Sequence, residues 1–150
     1  MTSMIKPKKN KRIAENLVQS VALNYLRRIG FQEVHEEVTL GEKRLDIFAR
    51  RDDGVFCAIE AKVGAARRAF TQASKYQHIA QKTYVALYAK TSDVAEELAL
   101  LTGIGLIMVA FSDEGDLIPR LVVEAEESPF FEPSLANYIW AKRSKANYGI

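Results

Sequence analysis

The amino-acid sequence predicts an α/β fold with a mixed central sheet and helices on both of its faces. The 150 residues suffice for one domain with its own core, and 48% hydrophobic and 27% charged residues are ordinary for a globular chain. Apolar residues recur at helical spacing in some segments and alternate in others. The resulting order is α-β-β-β-α-β-α-β-β-α, in which a meander precedes strands that helices connect.

The first part of the chain predicts an arm, a helix and a three-stranded meander. Residues 1–11 are polar and basic, and we expect them to form a flexible arm before a single domain over residues 12–150. Residues 12–29 carry an apolar stripe at helical spacing, and Gly30 is the natural stop. Turn residues separate the strands that follow, which are predicted over residues 31–40, 44–51 and 55–63.

The second part of the chain alternates helices and strands before a final helix. Helix capping and apolar runs define these elements, and a proline in a first-turn position opens the last of them. The predicted elements are a helix over residues 66–81, a strand over 83–89, a helix over 93–102, strands over 104–111 and 117–124, and a helix from Pro133 through about residue 146.

Composition excludes several classes of protein. No apolar run reaches the roughly 18 residues that a membrane span needs, so we expect no membrane association. The basic N-terminus lacks the apolar region of a secretory signal. Cys57 is the single cysteine, which excludes an internal disulfide and a cysteine-rich zinc site. We therefore expect the reducing cytoplasm as the compartment.

Charge is distributed unevenly along the chain, although the formal net charge is only +2. Residues 1–90 contain 17 Lys and Arg against 9 Asp and Glu, whereas residues 91–150 contain 4 against 10. A strongly basic segment favours a polyanionic partner such as a nucleic acid.

Three charged residues lie within two predicted strands, where burying apolar residues would cost less free energy. Asp46 lies in the second strand, and Glu60 and Lys62 lie in the third. Burying a charge is costly unless it is paired or binds a metal ion. Strand residues two apart share a face, so Glu60 and Lys62 point the same way. We therefore expect these side chains to form a functional site.

The length of the turn between these strands decides whether Asp46 shares that face. A two-residue loop over residues 53–54 would place Asp46 opposite Ala61, on the wrong face. A three-residue loop over residues 52–54, with its glycine in the left-handed conformation, places Asp46 opposite Glu60. The two Cβ atoms would then lie about 5 Å apart. We predict the three-residue loop.

The chemistry that suits this site is hydrolysis of a phosphodiester. Two facing carboxylates repel one another without a cation, and Mg²⁺ (or Mn²⁺) favours one or two carboxylates together with waters and substrate phosphate. The Ala61 carbonyl, between Glu60 and Lys62, could complete the metal shell. A bound metal would polarise the phosphoryl group and help to deprotonate a water. Lys62 would orient that water or stabilise the transition-state charge.

These residues resemble the core motif of the PD-(D/E)XK phosphodiesterases, the restriction-endonuclease-like nucleases that include archaeal Holliday-junction resolvases. Asp46 is followed, after thirteen residues, by a Glu-Ala-Lys tripeptide at residues 60–62. The family core is α-β-β-β-α-β, and residues 12–89 match it in order. Leu45 stands where the family usually has a proline. The resemblance implies a restriction-endonuclease-like core to which the C-terminal strands and helix are added.

The resemblance also implies roles for three residues on helices. The family often has a glutamate on its first helix, and Glu15 is expected to join Asp46 and Glu60 at the metal. Gln72 and Tyr76 resemble the Gln-x-x-x-Tyr motif of RecB-like members, in which both side chains point back to the active site. Residues four apart share a helical face, so these two are expected to support catalysis.

As a whole, the resemblance implies a Mg²⁺-dependent DNA endonuclease in repair, recombination or defence, directed by DNA structure or by a partner. Small relatives cut both strands as homodimers, so a homodimer is expected. The acidic C-terminal region offers a surface for the second subunit or for a protein partner. The residues expected to contact DNA phosphates are Lys8, Lys9, Lys11, Arg12, Arg67, Arg68 and Lys75.

Other interpretations remain open from the sequence. The three strand charges could form a structural ion-pair network. Glu15 could be an ordinary helix-edge carboxylate, and Gln72 and Tyr76 a polar edge and a core aromatic. At the level of function, the alternatives are a catalytically silent nucleic-acid-binding module of the same fold and a subunit whose acidic half docks a protein.

Overall fold

A six-stranded sheet lies at the centre of the fold, and helices cover both of its faces. The computed structural model describes the backbone of residues 14–147 and the side chains of residues 14–143. The elements are α1 (Glu15–Arg28), β1 (Glu33–Leu40), β2 (Lys43–Arg50), β3 (Phe56–Val63), α2 (Ala66–Ala73), a 3₁₀ turn (Ser74–Tyr76), β4 (Lys82–Tyr88), α3 (Asp93–Thr102), β5 (Gly105–Phe111), β6 (Leu117–Val123) and α4 (Pro133–Asn147).

The strands follow one another in chain order across the sheet. The β1–β2, β2–β3 and β5–β6 pairs are antiparallel, and the β3–β4 and β4–β5 pairs are parallel. Parallel neighbours need a crossover connection, which α2 and α3 supply. The predicted α/β class with a mixed central sheet is confirmed.

The turn between β2 and β3 has the three-residue form that the sequence predicts. The ladder runs from Arg50 and Phe56 to Ile47 and Ile59. Beyond it, the Arg51 amide donates to the Val55 carbonyl at 2.9 Å, which leaves residues 52–54 as the loop. The loop glycine has a φ of +87°, as this turn requires.

The second helix is shorter than the sequence predicts. The pattern over residues 66–81 predicts one continuous helix, but α2 ends at Ala73 and a 3₁₀ turn follows. The Ser74 hydroxyl donates to the Thr71 carbonyl at 2.7 Å, a local bond that competes with the helical ladder. The apolar residues that extend the periodicity, Ile79 and Ala80, enter the core from a turn.

Two apolar layers form the core on either side of β2 and β3. Ile47, Cys57 and Ile59 pack in the cluster beneath α1, where Cys57 is fully buried as a small core residue. Strand residues two apart ordinarily share a face, which would place Leu45 beside Ile47, but Leu45 packs in the opposite cluster. The reason is Glu37 on the neighbouring strand, whose positive φ of 56° interrupts the pleat where β1 would pair with the residue after Leu45.

The opposite cluster lies under the C-terminal helix. Trp140 of α4 packs against Phe48 and Phe56, with ring centroids 5.4 Å and 5.7 Å away.

Within residues 14–147, no helix combines the length and the apolar character that crossing a membrane requires.

Candidate active site

Asp46 lies where the ladder between β2 and β3 ends. The last recorded pair is Ile47 with Ile59, so continuing that register brings Asp46 opposite Glu60. In a regular ladder the next partner of Ala61 would be Leu45. Instead, the Asp46 Oδ2 accepts a hydrogen bond from the Ala61 amide at 2.8 Å.

The carbonyl of Ala61 lies beside this carboxylate. The amide and the carbonyl of one strand residue point to the same edge, as in a pair that exchanges both hydrogen bonds. The Ala61 carbonyl therefore points toward β2, where the ladder has ended. Burial raises the pKa of Asp46 above its ordinary value, although the amide of Ala61 acts in the opposite direction.

Glu60 lies in a more apolar setting than an ordinary surface carboxyl group. Only 7% of the residue is exposed, and its Oε1 is buried without a hydrogen-bond partner among the described residues. Burial, followed by the charge of Asp46, raises the pKa of Glu60 to about 8, while Lys62 lowers it. At neutral pH this carboxyl group therefore holds a proton unless a cation stabilises the carboxylate.

Lys62 is on the same strand, two residues beyond Glu60, and contacts the start of α1. Its Nζ lies 3.6 Å from the Oε2 of Glu15, and 17% of its side chain is exposed. Among the residues that the structure describes, no three His, Cys, Asp or Glu side chains form a group that could hold a metal ion. Glu15 is thus placed beside the lysine, and the expected set of three carboxylates is not assembled.

Tyr76 lies close to the two strand carboxylates, whereas Gln72 is held on the preceding helix. Glu60 and Asp46 add to the burial that raises the pKa of Tyr76 to about 12. The Tyr76 hydroxyl donates to the Arg44 carbonyl at 3.2 Å. Gln72 is half-buried on α2, and its Oε1 is buried without a partner in the described part of the chain. The continuous helix that was expected to carry both residues is not formed: Gln72 lies on α2 and Tyr76 on the 3₁₀ turn that follows it.

Two further residues contact the site and were not singled out from the sequence. Gln19 of α1 donates from Nε2 to the Asp46 carbonyl at 3.3 Å and to Glu36 at 2.9 Å. That carbonyl is available because Glu37, which would pair with Asp46, has the left-handed conformation. The sequence feature that could have identified Gln19 is a polar residue within the apolar stripe of α1, between two buried residues. No sequence signal marks the left-handed conformation of Glu37.

The residues expected to contact DNA fall into two groups. Arg67 and Arg68 are exposed on the first turn of α2, and Lys75 is exposed in the 3₁₀ turn beside Lys43. The remaining four lie outside the described residues: Lys8, Lys9, Lys11 and Arg12.

The donor set fits a hard divalent cation such as Mg²⁺. Asp46 and Glu60 would supply carboxylate oxygens, and Ala61 would supply a carbonyl oxygen. The Oε1 of Glu60 is buried without a partner in the part of the chain that the structure describes, so it needs either a proton or a cation. Because Mg²⁺ requires only one or two protein carboxylates and keeps several waters, a third carboxylate is not needed.

The fold resembles those of solved structures at low sequence identity. SPO1766, a protein of unknown function from Silicibacter pomeroyi, matches with a TM-score of 0.64 and 18% identity, over 92% of this chain and 94% of its own. SfsA from Pyrococcus furiosus, solved in complex with Ca²⁺, matches with a TM-score of 0.41 and 18% identity, over 79% and 62%. A repair endonuclease from Pyrococcus abyssi matches with a TM-score of 0.46 and 15% identity, over 75% and 50%. The match to SPO1766 shows a shared fold.

Sequence comparison defines the family more closely. A search of the curated proteins found no significant match. A sequence model of the PD-(D/E)XK nuclease superfamily matches residues 3–113, which include Asp46, Glu60 and Lys62. This match covers well over half of the chain, and it agrees with the motif on β2 and β3 and with the mixed sheet. The chain belongs to the PD-(D/E)XK nuclease superfamily.

Proposed function

We propose that this protein is a Mg²⁺-dependent DNA endonuclease, with Mn²⁺ as an alternative cation. The observation that supports this most directly is the closeness of Asp46 to Glu60: Asp46 accepts from the amide that follows Glu60, its charge acts on Glu60, and the Oε1 of Glu60 is buried without a partner among the described residues. Members of the superfamily generally use divalent metal ions. The proposal assigns Asp46, Glu60 and the Ala61 carbonyl as the ligands. When bound, the cation supplies Lewis-acid polarisation of the phosphoryl group and a water of lowered pKa.

Lys62 serves the transition state in this proposal. Its ammonium group is largely shielded, with 17% of the side chain exposed, and Glu15 at 3.6 Å restricts its position. A compact ammonium can donate to the attacking water or to a phosphoryl oxygen as negative charge develops there. Glu15 acts in this scheme as a positioning residue for Lys62.

Tyr76 and Gln72 support the site without exchanging protons. The pKa of Tyr76 is raised to about 12, so its hydroxyl stays protonated at neutral pH and remains a donor to the Arg44 carbonyl. This bond holds β2 against the 3₁₀ turn. Gln72 presents an amide whose oxygen is buried without a partner in the described residues, and we assign it to orienting water or substrate.

We further propose a homodimer that acts in the cytoplasm on DNA in repair, recombination or defence, directed by DNA structure or by a protein partner. The basic residues 1–90 contain the site, and the acidic residues 91–150 contain exposed apolar side chains. Leu100, Leu101 and Phe130 are 70%, 79% and 55% exposed, which is typical of a surface that another protein covers. Cys57 is a buried free thiol, consistent with a reducing compartment.

A cleavage assay with Asp46→Asn tests the proposed activity. Branched, linear and single-stranded DNA are incubated with the wild-type protein in Mg²⁺, in Mn²⁺ and in EDTA. We expect metal-dependent cleavage by the wild type and a loss on the order of 100- to 1000-fold in the variant. The asparagine oxygen can still accept from the Ala61 amide, so the fold is retained.

Asp52→Asn is the matched control, because Asp52 is exposed in the same hairpin. It is expected to cut at the wild-type rate. DNA binding without cleavage under every metal condition would instead identify a catalytically silent binding module. An affinity for DNA that does not depend on salt would contradict the nucleic-acid proposal altogether.

A further inference from the structure

A groove opens between the C-terminal helix and the end of the first strand. Its volume is about 440 Å³, which lies within the range of ligand sites. One wall is formed by the end of β1 and the turn that leads into β2, and the other wall is formed by α4. The lining consists of residues 38–41 together with Leu135, Tyr138, Ile139, Lys142 and Arg143.

An exposed tyrosine and several apolar side chains line this groove. The Tyr138 side chain is 63% exposed, so the packing of the core does not require its ring. Leu135 is 39% exposed, and Leu40 and Ile139 are partly buried against the cluster under α4. The Lys142 ammonium lies 5.9 Å from the centroid of the tyrosine ring, near the limit of about 6 Å for a cation–π contact. The ring therefore remains available to a flat, apolar partner.

The charged side chains of the groove are cations. Lys142 and Arg143 line it, and no carboxylate is among the described residues that do so. The Arg143 Nη2 donates to the Glu36 carbonyl at 3.1 Å, which holds the guanidinium in place, while its Nε is buried without a partner in the described part of the chain. Glu37, which precedes the groove on β1, is already paired with Arg44 at 2.7 Å. The groove is thus complementary in charge to an anion.

The groove lies beside the candidate active site. Val38 is the ladder partner of Leu45, the residue before Asp46, so its Cα lies within about 9 Å of the Asp46 Cα. Val38 also shares an apolar cluster with Ala58, which is two residues from Glu60 on β3. Strand residues two apart share a face, so the groove and the Glu60 side chain lie on the same face of the sheet. A DNA strand held at the carboxylates can therefore extend into the groove.

An anion with a flat, apolar part describes a nucleotide whose base is unpaired. The bases of a duplex are stacked on one another, whereas an unpaired base presents its face to an aromatic side chain. We propose that this groove binds an unpaired nucleotide of the DNA substrate, with the base stacked on Tyr138 and the phosphate bound by Lys142 and Arg143. The proposal rests on the proposed nuclease function. It narrows the substrate to DNA with a single-stranded segment, such as a single strand or a forked end.

The test compares Tyr138→Ala with the wild type on two ligands, a short fluorescent single strand and a blunt duplex of the same length. Binding is measured by anisotropy without divalent ions. Stacking on an aromatic residue contributes about 1–3 kcal/mol per base, so we expect the variant to bind the single strand roughly tenfold more weakly. Its affinity for the duplex should not change. In Mg²⁺, the KM for forked DNA should rise by a similar factor while kcat is retained, and Tyr138→Phe should restore both properties.

Phe111→Ala is the matched control, because Phe111 is an aromatic residue that is 52% exposed on β5. It should bind both ligands like the wild type. Wild-type binding of the single strand by Tyr138→Ala, with cleavage that still depends on Asp46, would overturn the groove proposal alone. An equal loss of duplex affinity would also overturn it, as would a change in sedimentation alone, which would assign the groove to a protein contact. A wild-type protein that neither binds nor cuts DNA would overturn the nuclease function itself.

Discussion

Asp46 and Glu60 are both carboxylic acids on neighbouring strands, yet their hydrogen bonding and protonation differ. The Ala61 amide holds Asp46 through a hydrogen bond of 2.8 Å, so its orientation is set by the backbone of β3. Within residues 14–143, Glu60 has no such donor on Oε1, and burial raises its pKa to about 8. The orientation of the Asp46 carboxylate is therefore fixed by a hydrogen bond, whereas the protonation state of Glu60 changes near neutral pH.

The stability of the metal-free protein should depend on pH through Glu60. The folded pKa of about 8 lies above the ordinary value of 4.5, so the folded state binds the proton more tightly than the unfolded state. This contribution is complete below pH 4.5 and is lost as the pH rises through 8. Glu60→Gln removes the ionisable group, and we expect it to stabilise the metal-free protein by about 2 kcal/mol at alkaline pH.

Urea denaturation in EDTA over a pH series measures this effect. The wild type should lose stability between about pH 5 and pH 9, and the variant should show a flatter profile while lacking cleavage activity. Glu42→Gln, at an exposed turn residue, is the control and should follow the wild type. Identical profiles for Glu60→Gln and the wild type would show that the carboxyl group is already ionised at neutral pH.

At the scale of elements, α1 is tied to the site by one polar side chain. Gln19 is 9% exposed and donates to the Asp46 carbonyl and to Glu36. Gln19→Leu would leave both acceptors without this donor, at a cost of about 2 kcal/mol. Thermal denaturation should show the loss, and the cleavage rate should fall because the Asp46 backbone is less constrained. Gln32→Leu, at an exposed position, should change neither property.

At this scale, the sequence predicts a structural feature when the residues that cause it are close together in the chain. Turn chemistry at residues 52–54 and the two-residue period of a strand were sufficient to predict the pairing of β2 with β3. The end of α2 was missed, because the buried Ile79 continues a helical pattern that the chain satisfies with a turn. The interruption at Glu37 was missed because a left-handed glutamate has no preference that a sequence pattern reveals.

At the scale of the whole molecule, the C-terminal helix completes the core beneath the site. The family match ends at residue 113, yet Trp140 of α4 is 6% exposed and packs on Phe48 and Phe56 of the motif-bearing strands. Trp140→Ala should destabilise the protein by about 3–4 kcal/mol, because it opens a cavity in this layer. Chemical denaturation measures the change. Tyr138→Ala, on the same helix and 63% exposed, should cost far less.

The apolar surface of α3 bears on the proposed homodimer. Leu101 is 79% exposed, and a charge there would oppose the burial of this face against a second copy. We expect the wild type to sediment as a dimer and Leu101→Glu as a monomer. Ile118→Glu places the same charge on the exposed face of β6 and should leave the dimer intact. Dissociation by the β6 variant alone would assign the interface to the sheet edge.

The unpartnered oxygen of Glu60 has a consequence for how the proposed metal site would work in a cell. Because this carboxyl group holds a proton below about pH 8, cation binding at neutral pH is an exchange in which a proton leaves. Occupancy then follows the ratio of divalent cation to hydrogen ion, and not the cation concentration alone. Acidification would empty the site at a fixed magnesium concentration, so activity would decline on the acid side before the fold itself is affected.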